Sequence, residues 1–438
     1  MKRFLTPSAV AALLLPFAGC KEPLAPAAPV TAAPTTTDPI TFGPKDWPWW
    51  RGPNRDGIAV GEQDPPLKWS DTENIVWKTP LTGRSHGSAT VVGDRIFLAV
   101  ADPETQKQSV LCLDRATGKP QWETVLHEGG FDKKGNQKSS HASCTPACDG
   151  SRVFVNFLHD GAVFAYALSL TGEKLWNAKI AEFVNHQGFG ASPAVYQQLV
   201  LFAADNKGGA GAIVALDRST GKLAWQQSRP KVPNYTSPII LKVGGRDQLF
   251  MTGCDLVSSF DPTSGEKIWE FPGATTECVT STVTDGKAIF TSGGYPKNHF
   301  AAVAADGSGK VLWENKSRVY VPSPLIKDGY LYAVMDAGVA MCWNSATGEE
   351  MWKGRIGGGD ISASPVLVGD KIFAVNEKGT TFVFRATPKE FELLEKNQLG
   401  DETFATPTFC GDKIYLRAAT TTDGKRQETL YCLGKPAK

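Results

Sequence analysis

Several features that usually identify a function class are missing from this chain of 438 residues. Basic and acidic residues nearly balance, at 46 and 45, so the basic excess of a nucleic-acid-binding protein is absent. The sequence has no Cys-x-x-Cys, His-Glu-x-x-His, phosphate loop or nucleophile elbow, which removes the common sequence evidence for zinc, nucleotide and acyl-transfer sites. No block of like charges appears either, which argues against a charged interaction tail.

What the chain does contain is an internal repeat. A tight turn with Gly next to Lys or Glu is followed within a few residues by tryptophan, and successive tryptophans lie 39 to 54 residues apart. This interval is typical of one four-stranded blade of a β-propeller. Short runs of Val, Ile, Phe and Tyr between the turns favour strands over helices. We expect the tryptophans to pack between neighbouring blades, at Trp122, Trp176, Trp225, Trp269, Trp313 and Trp352.

The repeat predicts eight blades. A seventh unit begins at Ile361, and Leu393 and Leu394 replace its tryptophan. An eighth unit begins at Thr403 and runs out one strand short, whereas an extra strand with Trp77 precedes the first unit. We therefore predict an all-β, eight-bladed propeller over residues 47–438, with four-stranded antiparallel blades and an N-terminal strand closing the last blade. A closed ring leaves no free edge to pair, and a monomer is expected.

The N-terminal region resembles an export signal with a tether. Residues 1–20 carry two basic residues, an apolar stretch and Ala-Gly-Cys, which is typical of a secretory signal with lipoprotein processing at Cys20. Phe17 differs from the leucine usual in that motif, so ordinary signal cleavage is the alternative. Residues 21–46 are rich in Pro, Ala and Thr and are predicted to form an extended tether. We expect a lipid-anchored protein on the periplasmic face of the outer membrane, or a periplasmic or extracellular one if Cys20 is not acylated.

Propeller topology places all six histidines at one end of the ring, beside the connections between blades and the turns between second and third strands. One hypothesis is that His86, His141 and His186 converge on a metal ion at the mouth of the central funnel. The alternative is that long exposed loops collect polar residues, and it is favoured because these spacings match no known ligand motif. Acids such as Asp160 recur at the ends of second strands, where ordinary hairpin chemistry explains them.

Eight cysteines follow Cys20. Cys254 and Cys278 are expected on the same face of neighbouring blades, and a disulfide between them is one interpretation. Burial of single thiols in the core is the other.

The blade pattern, as in SPVLVGDKIFAV and VALDRSTGKLAW, resembles the pyrroloquinoline-quinone (PQQ) repeat from about Trp47 to Leu433. That family includes BamB-like outer-membrane assembly lipoproteins and quinoprotein alcohol dehydrogenases. The opening WPWWRGPNRDGIA, from Trp47 to Ala59, resembles the start of exported PQQ-repeat proteins of planctomycete-type bacteria. The resemblance implies the propeller fold, whereas one propeller architecture serves unrelated functions.

The sequence is therefore compatible with two functions. The first, which we favour, is a non-catalytic envelope scaffold that binds partner proteins. The second is a dehydrogenase of alcohols or sugars with PQQ and Ca²⁺ in the funnel, although the chain lacks the adjacent cysteines typical of quinoprotein alcohol dehydrogenases. Asp360 and Glu402 are the acids nominated for a polar funnel. Converging acids in an open funnel would favour the cofactor, and a funnel closed by Tyr235, Tyr320 or Phe404 would favour the scaffold.

Overall fold

A computed structural model describes residues 38–132, 135–209 and 211–436. Cys20, the predicted signal and most of the predicted tether lie outside the described residues. Within the described part, no helix is long and apolar enough to cross a membrane.

The described strands form eight four-stranded antiparallel sheets, as predicted. Blades I to IV follow one another along the chain, and their strands are β2 Thr90–Val92, β3 Arg95–Asp102, β4 Lys107–Asp114 and β5 Pro120–Glu128; β6 Ala147–Cys148, β7 Arg152–His159, β8 Ala162–Ser169 and β9 Lys174–Glu182; β10 Ala194–Tyr196, β11 Leu199–Ala203, β12 Gly211–Asp217 and β13 Leu223–Arg229; β14 Ile239–Val243, β15 Arg246–Gly253, β16 Leu256–Phe260 and β17 Lys267–Pro272.

Blades V to VII continue the same order, and their strands are β18 Val283–Thr284, β19 Ala288–Gly293, β20 His299–Ala304 and β21 Val311–Asn315; β22 Leu325–Lys327, β23 Tyr330–Met335, β24 Val339–Asn344 and β25 Glu350–Arg355; β26 Val366–Val368, β27 Lys371–Val375, β28 Thr380–Arg385 and β29 Leu393–Gln398. The first strand of each blade is short, and these first strands contact one another around the axis.

Blade VIII joins the two ends of the propeller. Its strands are β30 Thr408–Cys410, β31 Lys413–Thr422, β32 Lys425–Leu433 and β1 Ile75–Leu81. Strand β1 pairs antiparallel with β32, and Trp77 lies opposite Cys432. The N-terminal strand therefore closes the ring, as predicted from the position of Trp77.

The repeated tryptophan and glycine of the sequence belong to one contact between blades. The indole Nε1 of Trp176 donates a hydrogen bond to the Arg218 carbonyl oxygen in the next blade, at 3.1 Å. A Cβ on Gly221 in the same turn would approach that indole to 2.7 Å. The same arrangement joins Trp122 to Gly172, and we infer that glycine is required there because the indole of the preceding blade covers it.

A small residue lies beside each indole within its own sheet. Cys112, Ala167 and Ala215 pair with Trp122, Trp176 and Trp225 in the neighbouring strand. Buried apolar side chains of the described residues form clusters, most of which combine two adjacent blades, such as the packing of Phe300 in blade V on Trp343 in blade VI. The core is thus a set of layers between blades.

Candidate functional site

A cavity of about 610 Å³ opens on the axis at the end of the ring that carries the connections between blades. Every blade contributes to its wall, because each connection reaches the axis just before the first strand of the next blade. The lining includes six aromatic side chains, two histidines and one glutamate: Trp50, Phe189, Tyr235, Tyr295, Tyr320, Phe404, His86, His186 and Glu277.

A ring of buried hydroxyls surrounds the axis beside this cavity. It is built from the Ser or Thr that begins each blade, at Ser88, Thr145, Ser192, Ser237, Ser281, Ser323, Ser364 and Thr406. The backbone N–H of one member donates to the side-chain oxygen of the next, as from Thr145 to Ser192 at 2.9 Å. Comparable bonds of 2.9 to 3.1 Å link Ser88 to Thr145, Ser192 to Ser237, Ser281 to Ser323, Ser323 to Ser364 and Ser364 to Thr406.

The segment Trp47–Ala59 crosses the axis at the other end of the channel. Trp47 bridges to Val91 in blade I, and Ile58 bridges to Leu367 in blade VII. The Arg51 guanidinium is buried and donates to the Pro324 carbonyl in blade VI at 2.5 Å. The segment therefore closes the channel across the ring and leaves the central cavity open at one end.

Trp50 connects this segment to the cavity. Its side chain lines the cavity, and its Nε1 donates to Ser281 Oγ at 2.9 Å. At blade V the hydroxyl ring is thus tied to the N-terminal segment. The end of the predicted tether also contacts the propeller, since Thr41 N donates to the Asp149 carbonyl at 2.9 Å.

The polar groups on the cavity wall bond to one another. His186 Nδ1 lies 3.1 Å from the Tyr235 hydroxyl and 3.7 Å from Glu277 Oε1. Burial raises the pKa of Glu277, while His186 and a hydrogen bond from Tyr320 oppose that shift. Burial likewise raises the pKa of Tyr320 and of Tyr235, so both hydroxyls are neutral hydrogen-bonding groups at neutral pH.

The three aromatic residues considered as a closure of the funnel line an open cavity instead. Phe404 stacks on His86 with ring centroids 4.4 Å apart, and Arg318 lies over Tyr320 at 5.1 Å. Tyr235 faces His186, as described above. The cavity therefore has aromatic walls with space between them.

The structure does not assemble the predicted site of His86, His141 and His186. His86 and His186 line the central cavity, whereas His141 lines a neighbouring cavity of about 300 Å³ and stacks on Phe131 at 4.1 Å. Their ligand atoms do not form a metal-binding group among the described residues. Burial lowers the pKa of His86 well below the usual value, and the nearby Arg84 adds to this effect.

Asp360 and Glu402, the two acids expected in a polar funnel, do not line the cavity, and each is paired with a basic residue. Asp360 Oδ2 accepts from Lys138 Nζ at 2.9 Å, and Lys138 also contacts Glu377 at 2.8 Å. Glu402 Oε1 lies 2.7 Å from Arg426. Because Lys138 belongs to the connection between blades I and II, its two ion pairs extend that connection across the mouth to blade VII.

A calcium site for PQQ does not fit this donor set. Calcium takes six to eight oxygen ligands, commonly with several carboxylates. Glu277 is the one carboxylate in the lining of the cavity among the described residues, and it is occupied with His186 and Tyr320. The described chain therefore offers no calcium cradle in the cavity.

The eight cysteines of the described residues are buried free thiols. Cys254 Sγ contacts Asp205, and Cys278 Sγ lies 3.4 Å from the Thr275 hydroxyl. The two thiols are not joined in this structure, and the disulfide between them stays a prediction.

Comparisons with known proteins agree with this architecture. The sequence model of the family described as outer membrane protein assembly factor BamB matches residues 54–132 and 106–354. The chain belongs to this PQQ-repeat family. Family membership accounts for the repeated turn and tryptophan, and it leaves the occupant of the cavity open.

Individual relatives differ in what their names state. The chain is 25% identical to outer membrane protein assembly factor BamB of Burkholderia pseudomallei, over 69% of this chain and 85% of that protein. It is 22% identical to tetrathionate hydrolase of Acidithiobacillus ferrooxidans, over 73% of this chain and 69% of that protein. A europium-containing methanol dehydrogenase shares the fold with a TM-score of 0.64 at 13% identity, covering 90% of this chain and 98% of that one. At that identity the structural likeness concerns the fold alone.

Most residues of the cavity wall were not predicted from the sequence, and Trp50, Lys138 and Glu277 are examples. Trp50 had a signal in the aromatic opening segment, but its side chain reaches the cavity only through the crossing of the axis. Lys138 and Glu277 lie in irregular connections, and no repeat marks them.

Proposed function

We propose that this protein is an envelope scaffold whose central cavity binds an apolar or aromatic side chain of a partner polypeptide. The observation that carries the proposal is an open cavity of about 610 Å³ whose walls combine aromatic rings with hydroxyl groups. Aromatic walls bury large apolar groups well, and neutral tyrosine hydroxyls orient a peptide by hydrogen bonds. Tyr295, which is 55% exposed, extends the wall toward solvent.

The donor set disfavours the dehydrogenase alternative for the same cavity. Its single lining carboxylate bonds to neighbouring side chains, and the carboxylates nearest Lys138, those of Asp360 and Glu377, are already paired with that lysine. The cavity therefore lacks the several free carboxylates that a calcium ion needs. Binding of an apolar side chain requires no set of carboxylates.

The envelope location and the lipid anchor belong to the proposal. They rest on the signal-like N-terminus with Cys20 and on the likeness to an outer-membrane assembly factor. The partners we expect are outer-membrane proteins or their assembly machinery. Cys20→Ser should move the protein from the membrane fraction to the soluble fraction and abolish incorporation of labelled fatty acid. Unchanged membrane association would contradict the anchor.

Peptide titrations test the cavity. We expect N-acetylated peptides containing Phe, Tyr or Trp to bind measurably by calorimetry, while matched Ser peptides do not. Phe404→Ala and Tyr320→Ala should weaken this binding at least about tenfold, because each removes an aromatic wall. The matched control is Tyr196→Ala, which removes a tyrosine outside the cavity that bonds to Asp247.

Two results would contradict the proposal. One is equal binding by wild type and both wall variants. The other is a stoichiometric quinone absorption after incubation with PQQ and Ca²⁺, accompanied by dye-linked oxidation of an alcohol. Circular dichroism of each variant verifies that the fold is retained.

A further inference from the structure

A second cluster of histidines lies away from the central cavity, at the boundary of blades I and II. His127 lies near the end of β5, His159 ends β7, and Asp160 follows in the turn to β8. Nε2 of His127 and Nδ1 of His159 each lie 3.1 Å from the same oxygen, Oδ2 of Asp160. Among the described residues these three form the group whose ligand atoms all lie within 4.8 Å of one another.

We propose that His127, His159 and Asp160 form a binding site for a divalent transition-metal ion such as Zn²⁺. Two imidazoles and a carboxylate are donors that suit zinc and related ions. In a tetrahedral zinc site with bond lengths of about 2.0–2.1 Å, neighbouring ligand atoms lie roughly 3.3–3.4 Å apart. The two 3.1 Å separations come close to that edge length. Because the two imidazoles are stacked with centroids 3.5 Å apart, the His127 ring has to turn out of the stack for its Nε2 to point at an ion shared with His159.

One ligand atom of the cluster has poor hydrogen-bond geometry. Nε2 of His127 is buried and lies 3.1 Å from Asp160 Oδ2, but among the described residues no well-aligned hydrogen bond reaches it. A metal ion between this nitrogen and the carboxylate would satisfy both atoms.

The second histidine is held in place from two sides. The His159 ring lies between His127, at a centroid distance of 3.5 Å, and Phe164, at 4.3 Å. Its Nε2 lies 2.8 Å from the Tyr166 hydroxyl. Such an outer partner fixes the orientation and tautomer of a ligating histidine.

Metal binding needs no external reactant. Because a carboxylate accepts hydrogen bonds, we assign the metal-free His159 the tautomer with its proton on Nδ1, which donates to Asp160, and its Nε2 then accepts from the Tyr166 hydroxyl. When the metal takes Nδ1, the single ring proton moves to Nε2, where the Tyr166 oxygen accepts it. The Asp160 side chain is 56% exposed, which leaves water access to the remaining coordination positions.

The site is independent of the proposed binding function. None of its three ligands lines the central cavity, whose two histidines are His86 and His186. Loss of metal binding would therefore leave peptide binding in the cavity unchanged. Failure of one proposal is distinguishable from failure of the other.

Zinc uptake by the full mature protein tests the site. Tag-free protein is stripped with a chelator, titrated with Zn²⁺ by calorimetry, and analysed for bound metal. We expect about one equivalent in wild type and at least tenfold weaker binding in His127→Ala and Asp160→Asn. His141→Ala and His299→Ala are matched controls that remove a histidine outside the cluster, and they should bind as wild type does. With Co²⁺, wild type should show the visible absorption of a tetrahedral site.

Thermal unfolding with and without Zn²⁺ distinguishes loss of metal binding from misfolding of a variant. Zinc should raise the melting temperature of wild type and of His141→Ala, and it should not raise that of His127→Ala. Wild type that binds no more zinc than His127→Ala would overturn the proposal. Equal loss in His141→Ala and His127→Ala would also overturn it, because the ligands would then lie elsewhere.

Discussion

The hydroxyl ring around the axis makes a quantitative prediction about two chemically identical substitutions. In Ser192→Ala, the buried backbone N–H of Thr145 loses the oxygen that accepts it at 2.9 Å. A buried donor without an acceptor costs about 1–3 kcal/mol. Ser88 occupies the equivalent position in blade I, but its Oγ has no hydrogen-bond partner among the described residues. Ser88→Ala should therefore be neutral or slightly stabilising.

Urea denaturation and calorimetry measure both variants. With an unfolding entropy of about 2.1 cal/mol/K per residue over roughly 400 residues, the Ser192→Ala loss lowers the melting temperature by about 1–4 °C. Ser88→Ala should leave the melting temperature unchanged or raise it. Equal destabilisation by the two substitutions would refute the reasoning, since burial alone and not the hydrogen bond would then set the cost.

Three other predictions concern stability. Gly265→Ala should lower the free energy of unfolding, measured by chemical denaturation, by about 1–3 kcal/mol more than Gly244→Ala. Both glycines have positive φ, but only at Gly265 would an added Cβ meet an indole, that of Trp225 at 2.5 Å. Equal losses would contradict the indole contact. Burial lowers the pKa of His86 in the folded protein, so the unfolded chain takes up a proton at this residue first and the free energy of unfolding falls as pH drops below about 6.5. His86→Gln should therefore reduce the slope of unfolding free energy against pH by up to about 1.4 kcal/mol per pH unit. An unchanged slope would assign the pH dependence to other groups. Arg229→Met removes the guanidinium that lies 3.1 Å from the buried carboxylate of Asp205, and should lower the free energy of unfolding in urea by about 3–5 kcal/mol. Adding Asp205→Leu should restore part of that loss.

The fold was predictable because the repeat reports local structure. Each tryptophan marks a fourth strand, and the surplus strand at Trp77 together with the incomplete eighth unit identified the closure. Two features explain the recurring glycine, and the sequence indicates only one of them. Positive φ explains Gly221, but the cover by Trp176 comes from the preceding blade and depends on packing.

The site was less predictable, because convergence depends on loop length and radial position. Topology assigned the histidines to one end of the ring, and His86 and His186 do line the cavity there. His127 and His159 meet because the end of β5 lies against the end of β7, which no spacing along the chain reveals. Likewise, the hydrogen bond that the Ser or Thr before a first strand accepts from the preceding blade depends on the three-dimensional arrangement of the blades.

The pairing of β1 with β32 also sets an order of events during folding. Residues 75–81 are made long before their partner, residues 425–433. Blades I to VII can each form from contiguous chain, whereas the last sheet waits for contacts between residues more than 340 positions apart. Until then Trp77 has no sheet in which to lie beside Gly118, and the seam between blades VIII and I stays open. The circumference of the propeller is therefore completed in a single step that waits for the strands of all eight blades.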